Sequence, residues 1–247
     1  LIRILRSQGT MNGMITCAEH FSVEECLAPI RSYRVQGTVE RVTRKETEIF
    51  KPEGETRFRV ALMDYGAKKS MIDGLRRRGC EVTACPAHTP AKTLLAGGFD
   101  GIMLSNGPGD PADNVEMIRE VRALYESDIP MFAVCLGHQL MALAAGAETE
   151  KLQYGHRGGN HPVRDVDTGR VFITSQNHGY VVKRESVDPA VAEVTHVNVN
   201  DGTVEGMRFK KRNVFTVQFH PEAAPGPMDT KYLFDRFVAM MGGTRHA

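Results

Sequence analysis

From residue 58 onward, short runs of apolar residues alternate with stretches in which apolar residues recur every three or four positions. The short runs are typical of buried strands, and the spaced stretches are typical of amphipathic helices. This pattern predicts strands at residues 59–64, 80–85, 100–105 and 130–135, with helices ending near residue 78 and lying over 114–127 and 138–145. Wholly apolar strands separated by helices indicate a parallel sheet that is covered on both faces.

After Gly146 the pattern becomes richer in strands. Strands are predicted at residues 171–175, 192–199, 203–209 and 214–219, followed by a closing amphipathic helix at about 229–241. The expected fold class is therefore α/β, an open and mostly parallel sheet flanked by helices, with an added β-rich section in the C-terminal half.

Residues 1–57 do not show this regular pattern of apolar positions. Their apolar positions are short and scattered, and residues 41–57 are dominated by charge. We expect a fragment plus a linker over 1–57 and one folded domain over 58–247. The first residue is Leu1 rather than Met, which suggests a chain whose beginning is missing.

Composition excludes several classes of protein. With 247 residues, 41% of them hydrophobic, the chain can bury a full core and is not disordered as a whole. A formal net charge of +1 lacks the basic excess of a nucleic-acid or anionic-membrane binder. No apolar run approaches the roughly 18 to 20 residues of a membrane span. Arg3 and Arg6 interrupt the short apolar stretch at the start, which is therefore not a signal peptide. We expect a cytoplasmic protein. Five scattered cysteines without a C-x-x-C pair argue against a disulfide framework and a structural zinc site.

Cys135 lies at the junction of an apolar strand and a helix. In open α/β sheets, reactive groups lie at the carboxyl ends of the strands. Ala133 and Gly137, two residues before and after the thiol, are small enough to let a sharp strand-to-helix turn close, as in a nucleophile elbow. The helix start would lower the pKa of the thiol and supply N–H groups to an oxyanion. A buried structural cysteine is the alternative, and the elbow context favours the nucleophile.

A base for this thiol is available at the end of the last apolar strand. His220 follows that strand, Pro221 fixes the backbone after it, and Glu222 can turn back to orient the imidazole. A turn histidine without a catalytic role is the alternative. Because both His220 and Cys135 end strands, a Cys/His/Glu relay is predicted.

These residues carry a resemblance. The segments 135–139 (CLGHQ) and 220–222 (HPE) resemble the class I, triad-type glutamine amidotransferases. Five further blocks, in order, resemble the small, glutamine-hydrolysing subunits of carbamoyl phosphate synthetases: DYGAK at 64–68, SNGPGDP at 105–111, GHRGGNHP at 155–162, SQNHG at 175–179 and PEAAPGP at 221–227. One departure is Ala133, where the family often has Gly.

The resemblance implies a set of site residues. It gives Gly109 and the amide of Leu136 as the oxyanion hole, and it gives the glutamine-binding positions as Gly107, Gln139, Asn177, Gly179 and Tyr180, the last three in a loop after a strand. The residues alone leave two simpler interpretations open, an ordinary Gly-Pro turn at 107–109 and a hairpin turn at 177–179. No metal site is expected, because the histidines at 156, 161 and 178 lack i, i+4 spacing and cysteine company.

The activity implied by the resemblance is hydrolysis of L-glutamine to supply ammonia to a large carbamoyl phosphate synthetase subunit, for arginine or pyrimidine synthesis. No cofactor is expected in this chain; ATP, Mg²⁺ and bicarbonate would bind the large partner. Two alternatives stay open: the glutaminase of another amidotransferase, such as that of anthranilate or GMP synthesis, and a non-catalytic regulatory subunit of the same fold. Residues 1–16 resemble the end of an upstream domain that contacts the large subunit, so we expect this chain alone to hydrolyse glutamine weakly and to bind its partner poorly.

Overall fold

The computed structural model describes residues 2–243, so Leu1 lies outside the described residues. The helices are α1 (Ile2–Gln8), α2 (Val23–Ser32), α3 (Thr38–Val42), α4 (Lys69–Arg76), α5 (Ala91–Ala96), α6 (Val115–Tyr125), α7 (Leu136–Ala144) and α8 (Tyr232–Gly243). The strands are β1 (Glu48–Phe50), β2 (Phe58–Asp64), β3 (Cys80–Pro86), β4 (Gly101–Leu104), β5 (Met131–Val134), β6 (Thr149–Asp165), β7 (Val171–Val182), β8 (Ala192–Asn198), β9 (Val204–Phe209) and β10 (Val214–Val217).

All of these strands form one sheet in the order β1-β3-β2-β4-β5-β10-β9-β8-β6-β7. Strands β3, β2, β4, β5 and β10 run parallel, and β9, β8, β6 and β7 continue the sheet as antiparallel neighbours. The predicted fold class is confirmed: a parallel half flanked by helices is extended by a β-rich half.

The core lies on both faces of the parallel half. Alternate residues of each central strand point to opposite faces. On one face, Ala61, Met63 and Leu104 belong to a buried cluster with residues of α6 and α7. On the other, Val60 and Leu62 belong to a second cluster with residues of α4 and α8. Burial on both faces explains why these strands are apolar throughout.

The longest pair of strands is the one that the apolar pattern did not predict. Strand β6 covers the polar, glycine-rich block at 155–162, and β7 continues seven residues beyond the predicted end at Ser175. The register between β6 and β7 shifts twice, and Gly155 and Gly158 have positive φ angles of 75° and 130°. Glycines and bulges of this kind mask the alternation by which a strand is identified.

The first 57 residues contribute short elements. Helices α1 and α2 bury none of their residues, whereas Val39 of α3 is fully buried. Strand β1 pairs antiparallel with β3 at the edge of the sheet, and Arg44 Nε lies 2.8 Å from Asp64 Oδ2. Residues 38–50 therefore pack on the sheet, and the division of the chain at residue 57 stays a prediction. Within residues 2–243, no helix has the length and apolar composition needed to cross a membrane.

Gly137 is the point at which α7 meets the sheet. A Cβ atom there would lie 2.5 Å from the carbonyl oxygen of Leu104 in β4. We expect Gly137→Ala to destabilise the protein by about 1–3 kcal/mol through overpacking, although alanine is the better helix former. Urea denaturation measures the loss. Gly54→Ala is the matched control, because nothing lies within 4 Å of a Cβ at that position; equal stability of the two variants would contradict the close approach of α7 and β4.

Candidate active site

Cys135 occupies a strained turn between β5 and α7. Its backbone has φ 54° and ψ −105°, in the region that residues with a side chain rarely adopt. The turn is held on both sides, because the N–H of Cys135 donates to Val217 O at 2.9 Å and the N–H of Gly137 donates to Ser105 O at 3.0 Å. The predicted elbow is therefore present, and the thiol is buried at the start of α7.

The sheet brings His220 to this thiol. Strands β5 and β10 are parallel neighbours in which Val134 pairs with Val217, so both strands end at one edge of the sheet. His220 lies close enough to Cys135 for the thiol to influence its pKa, and His220 Nδ1 lies 2.7 Å from Glu222 Oε1. Since an ionised carboxylate only accepts, Nδ1 carries a proton and Nε2 is the nitrogen left for the thiol.

A lysine that the motifs did not single out completes this row of side chains. Lys68 Nζ lies 3.0 Å from Glu222 Oε1, whose side chain has no exposed surface. The backbone N–H of Lys68 donates to Asn106 Oδ1 at 3.3 Å. Lys68 belongs to the DYGAK block at 64–68, but nothing in its spacing indicates that it meets a carboxylate more than 150 positions away.

The pKa values of the pair reflect this geometry. Burial lowers the pKa of His220, but the charge of Cys135 and hydrogen bonds with Cys135 and Glu222 outweigh it and raise the value to about 10. Burial raises the pKa of Glu222, whereas the hydrogen bond and charge of His220, together with Lys68, bring it below its ordinary value. The arrangement therefore supports an ionised Glu222 beside a protonated His220.

The loop after β4 faces the elbow. At Gly107 a Cβ atom would collide with the Tyr65 carbonyl and the Leu136 side chain, and Gly109 has φ 97° and would collide with Thr38. These two positions accept only glycine without rearrangement. The Leu136 side chain is buried in the core, but its N–H belongs to the first turn of α7, where an α-helix leaves amides without an intrahelical acceptor.

A cleft of about 1140 Å³ opens over Cys135. The predicted binding residues that line it are Gly107, Gly109, Gln139, Asn177, Gly179 and Tyr180. Residues 10–12 and 33–36 from the N-terminal segment line the same cleft.

The predicted loop at 177–180 is wrong. Asn177, Gly179 and Tyr180 lie inside β7, where Asn177 pairs with Arg157 of β6, so the hairpin-turn alternative fails as well. The long strand places their backbone along one wall of the cleft. Gln139 on α7 holds this wall in place, since its Nε2 donates to Tyr180 O at 2.7 Å and to Gln218 Oε1 at 2.9 Å.

Tyr180 also connects two sides of the cleft. Burial, followed by a hydrogen bond to Asp110 and the charge of that carboxylate, raises the pKa of Tyr180 to about 12. The phenol therefore stays protonated, and it faces Asp110 in the cleft that both residues line.

Comparison with known proteins agrees with this geometry. The family model for class-I glutamine amidotransferases matches residues 61–240. The carbamoyl phosphate synthase small chain of Listeria monocytogenes serotype 4b is 47% identical over 98% of this chain and 66% of its own length. The pyrimidine-specific small chain of Halalkalibacterium halodurans is 45% identical over 100% of this chain and 67% of its own length.

A solved structure with the same fold is more distant in sequence. A putative GMP synthase subunit from Thermoplasma acidophilum superposes with a TM-score of 0.68 at 20% identity, covering 78% of this chain and 98% of that one. The chain spans about two thirds of the length of the curated relatives it matches, 66% in the first of them. Since the family model covers the sheet from β2 to β10 together with Cys135, His220 and Glu222, the chain belongs to the class-I glutamine amidotransferase family.

Proposed function

We propose that this chain is the glutamine-hydrolysing small subunit of a carbamoyl phosphate synthase. The observation that carries the proposal is the Cys135–His220–Glu222 array at a strained elbow, within a chain 47% identical to a carbamoyl phosphate synthase small chain over 98% of its length. The substrate is L-glutamine, and the useful product is ammonia.

In the first half of the reaction, the Cys135 thiolate attacks the side-chain amide carbon of glutamine. The negative charge that develops on the amide oxygen is stabilised by the N–H groups of Leu136 and Gly109. His220, protonated and held by Glu222, gives its Nε2 proton to the departing nitrogen, so the C–N bond breaks and ammonia leaves. The remaining glutamyl group is bound to Cys135 as a thioester.

In the second half, a water molecule attacks the thioester carbon. His220 Nε2, now unprotonated, takes a proton from that water, the C–S bond breaks, and glutamate leaves with the thiolate restored. Glu222 stabilises the imidazolium in both halves, and Lys68 keeps the buried Glu222 carboxylate ionised. Gly107, Gln139, Asn177, Gly179 and Tyr180 hold the amino-acid part of the substrate along the cleft.

Ammonia passes to a large partner subunit that uses ATP, Mg²⁺ and bicarbonate to make carbamoyl phosphate. The small chain itself needs no cofactor for the thioester chemistry. A cytoplasmic location is part of this proposal.

Two alternatives are less well supported. The likeness to a putative GMP synthase subunit, at 20% identity, shows only that the two proteins share a fold. The sequence blocks at 155–162 and 175–179, which lie in β6 and β7, resemble carbamoyl phosphate synthetases instead. A non-catalytic regulatory subunit would not need a buried thiol beside a histidine that a carboxylate holds from behind.

Cys135→Ser tests the nucleophile. We expect glutamine hydrolysis to fall by about a thousandfold or more, because a hydroxyl is a far poorer nucleophile beside a histidine suited to a thiolate. Glutaminase assays with and without the large subunit measure the loss, and ammonia-dependent carbamoyl phosphate synthesis by the assembled complex is the control. Retention of a tenth of the glutaminase rate would contradict the role of Cys135.

Glu222→Gln and His220→Asn separate orientation from proton transfer. We expect the loss of kcat/KM in Glu222→Gln to be smaller than in His220→Asn by roughly one to two orders of magnitude. Removing the carboxylate also lowers the pKa of the His220 imidazolium, so the basic limb of the kcat/KM profile of Glu222→Gln moves to lower pH. Equal losses and an unmoved basic limb would show that Glu222 does not act through His220.

A further inference from the structure

Two histidines and a glutamate meet in the antiparallel half of the sheet. His156 of β6 and His178 of β7 are directly opposed in the register of those strands, and Glu205 comes from β9. All three side chains are buried, and each offers one ligand atom within 4.8 Å of the others. His156 Nδ1 lies 3.4 Å from Glu205 Oε1.

The outer nitrogen of each ring has a fixed partner. His156 Nε2 lies 2.7 Å from Asp201 Oδ2, and His178 Nδ1 lies 2.9 Å from the backbone oxygen of Tyr180. Both partners are pure acceptors, so both outer nitrogens donate a proton. Metal-binding histidines have this arrangement, in which a carboxylate or a backbone carbonyl holds the outer N–H and aims the inner nitrogen.

The inner nitrogens face further acceptors. Gln176 Oε1 lies 2.9 Å from both His156 Nδ1 and His178 Nε2. Glu205 Oε1 accepts from Asn198 Nδ2 at 3.1 Å, whereas Glu205 Oε2 is buried without a hydrogen-bond partner among the described residues. Imidazole nitrogens, an amide oxygen and a carboxylate thus converge on one point, where a bound cation would satisfy their lone pairs.

We propose that His156 Nδ1, His178 Nε2 and Glu205 bind a divalent transition-metal ion, with Zn²⁺ as the best match. Two imidazoles and a carboxylate suit zinc rather than magnesium or calcium, which favour oxygen ligands alone. Ligand atoms in a tetrahedral zinc site lie about 3.3 Å apart, close to the separation between His156 and Glu205. Gln176 Oε1, adjacent to both nitrogens, completes the set.

The site connects to the cleft through β7. His178 lies between Asn177 and Gly179, and a metal bound to it would tie β6, β7 and β9 together behind the wall of the cleft. The role is therefore structural: the ion stiffens the strand that carries the glutamine-binding backbone and takes no part in the thioester chemistry. It does not depend on which partner receives the ammonia.

A proton is the competing occupant. The hydrogen bond with Glu205 raises the pKa of His156 to about 9, against the effect of burial and with help from Asp201. Zinc must displace that proton to bind, so affinity has to be measured rather than read from geometry.

The test is metal binding by the chelator-treated 247-residue chain in a Cys135→Ser background, which removes the thiolate–imidazole pair as a second zinc ligand. We expect one Zn²⁺ per chain by calorimetry, a higher melting temperature with Zn²⁺, and a visible Co²⁺ spectrum without thiolate charge-transfer bands. His156→Gln and Glu205→Gln should weaken binding by at least about 100-fold, and Asp201→Asn by about 10- to 100-fold.

His161→Gln is the matched control, since its ring lies 5.1 Å from that of His156 but outside the proposed ligand set. Affinity in this variant should be unchanged. If Glu205→Gln fails to fold, Asp201→Asn decides, because the Asp201 side chain is 42% exposed and its replacement leaves the core intact. Absence of stoichiometric binding would overturn the proposal and leave a protonated His156 at this position. The proposal would also be overturned if Asp201→Asn left the zinc affinity unchanged, or if His161→Gln lowered it as much as the ligand variants do.

Discussion

A positive φ at a residue with a side chain, Cys135, is the constraint on which the rest of the site depends. This conformation lifts the thiol out of the line of β5 and points α7 away at a sharp angle. Neighbouring contacts stabilise this conformation. The Cys135 N–H donates to Val217 O of β10, and the Gly137 N–H donates to Ser105 O. The absence of a side chain at Gly137 lets α7 lie against β4. Each of these contacts comes from the parallel half of the sheet. The packing of that half therefore fixes the position of the Cys135 thiol.

Charge alternates along the row Lys68, Glu222, His220 and Cys135. Buried charges are costly unless each has an opposite neighbour, and here the contacts of 3.0 Å between Lys68 and Glu222 and 2.7 Å between Glu222 and His220 supply one. Only Lys68 reaches toward solvent, with a side chain 35% exposed. The positive charge that faces Cys135 at the inner end of this row is therefore the protonated His220, held by Glu222 and, behind it, Lys68.

The parallel half of the fold and the approach of His220 and Glu222 to Cys135 could be predicted from the sequence because both depend on local signals. Continuous apolar strands, small residues around Cys135 and the His-Pro-Glu turn are each visible within a few positions. Lys68 was not predicted as a partner of Glu222, because that contact depends on the three-dimensional path of β2 and β10. Strand β6 and the second part of β7 were not predicted for another reason: their glycines and polar residues form bulges and line the cleft, and they hide the alternation of a strand. Strands β6 and β7 also place His156 opposite His178. The absence of an i, i+4 spacing between these histidines therefore did not show that they lie apart.

Affinity labelling of the Cys135 thiol tests the central claim most directly. A glutamine-analogue chloroketone or diazoketone, incubated with the chain and the proposed large subunit, should modify Cys135 stoichiometrically. Glutamine should protect the thiol, and peptide mass analysis locates the adduct. The buried Cys80 and Cys85 serve as internal controls, since burial raises the pKa of both thiols and they should remain unmodified. Modification of Cys135 in proportion to lost glutaminase activity agrees with the account. An unlabelled Cys135 in the assembled complex, or labelling that glutamine does not prevent, would contradict it and favour a protein that keeps the fold without the chemistry.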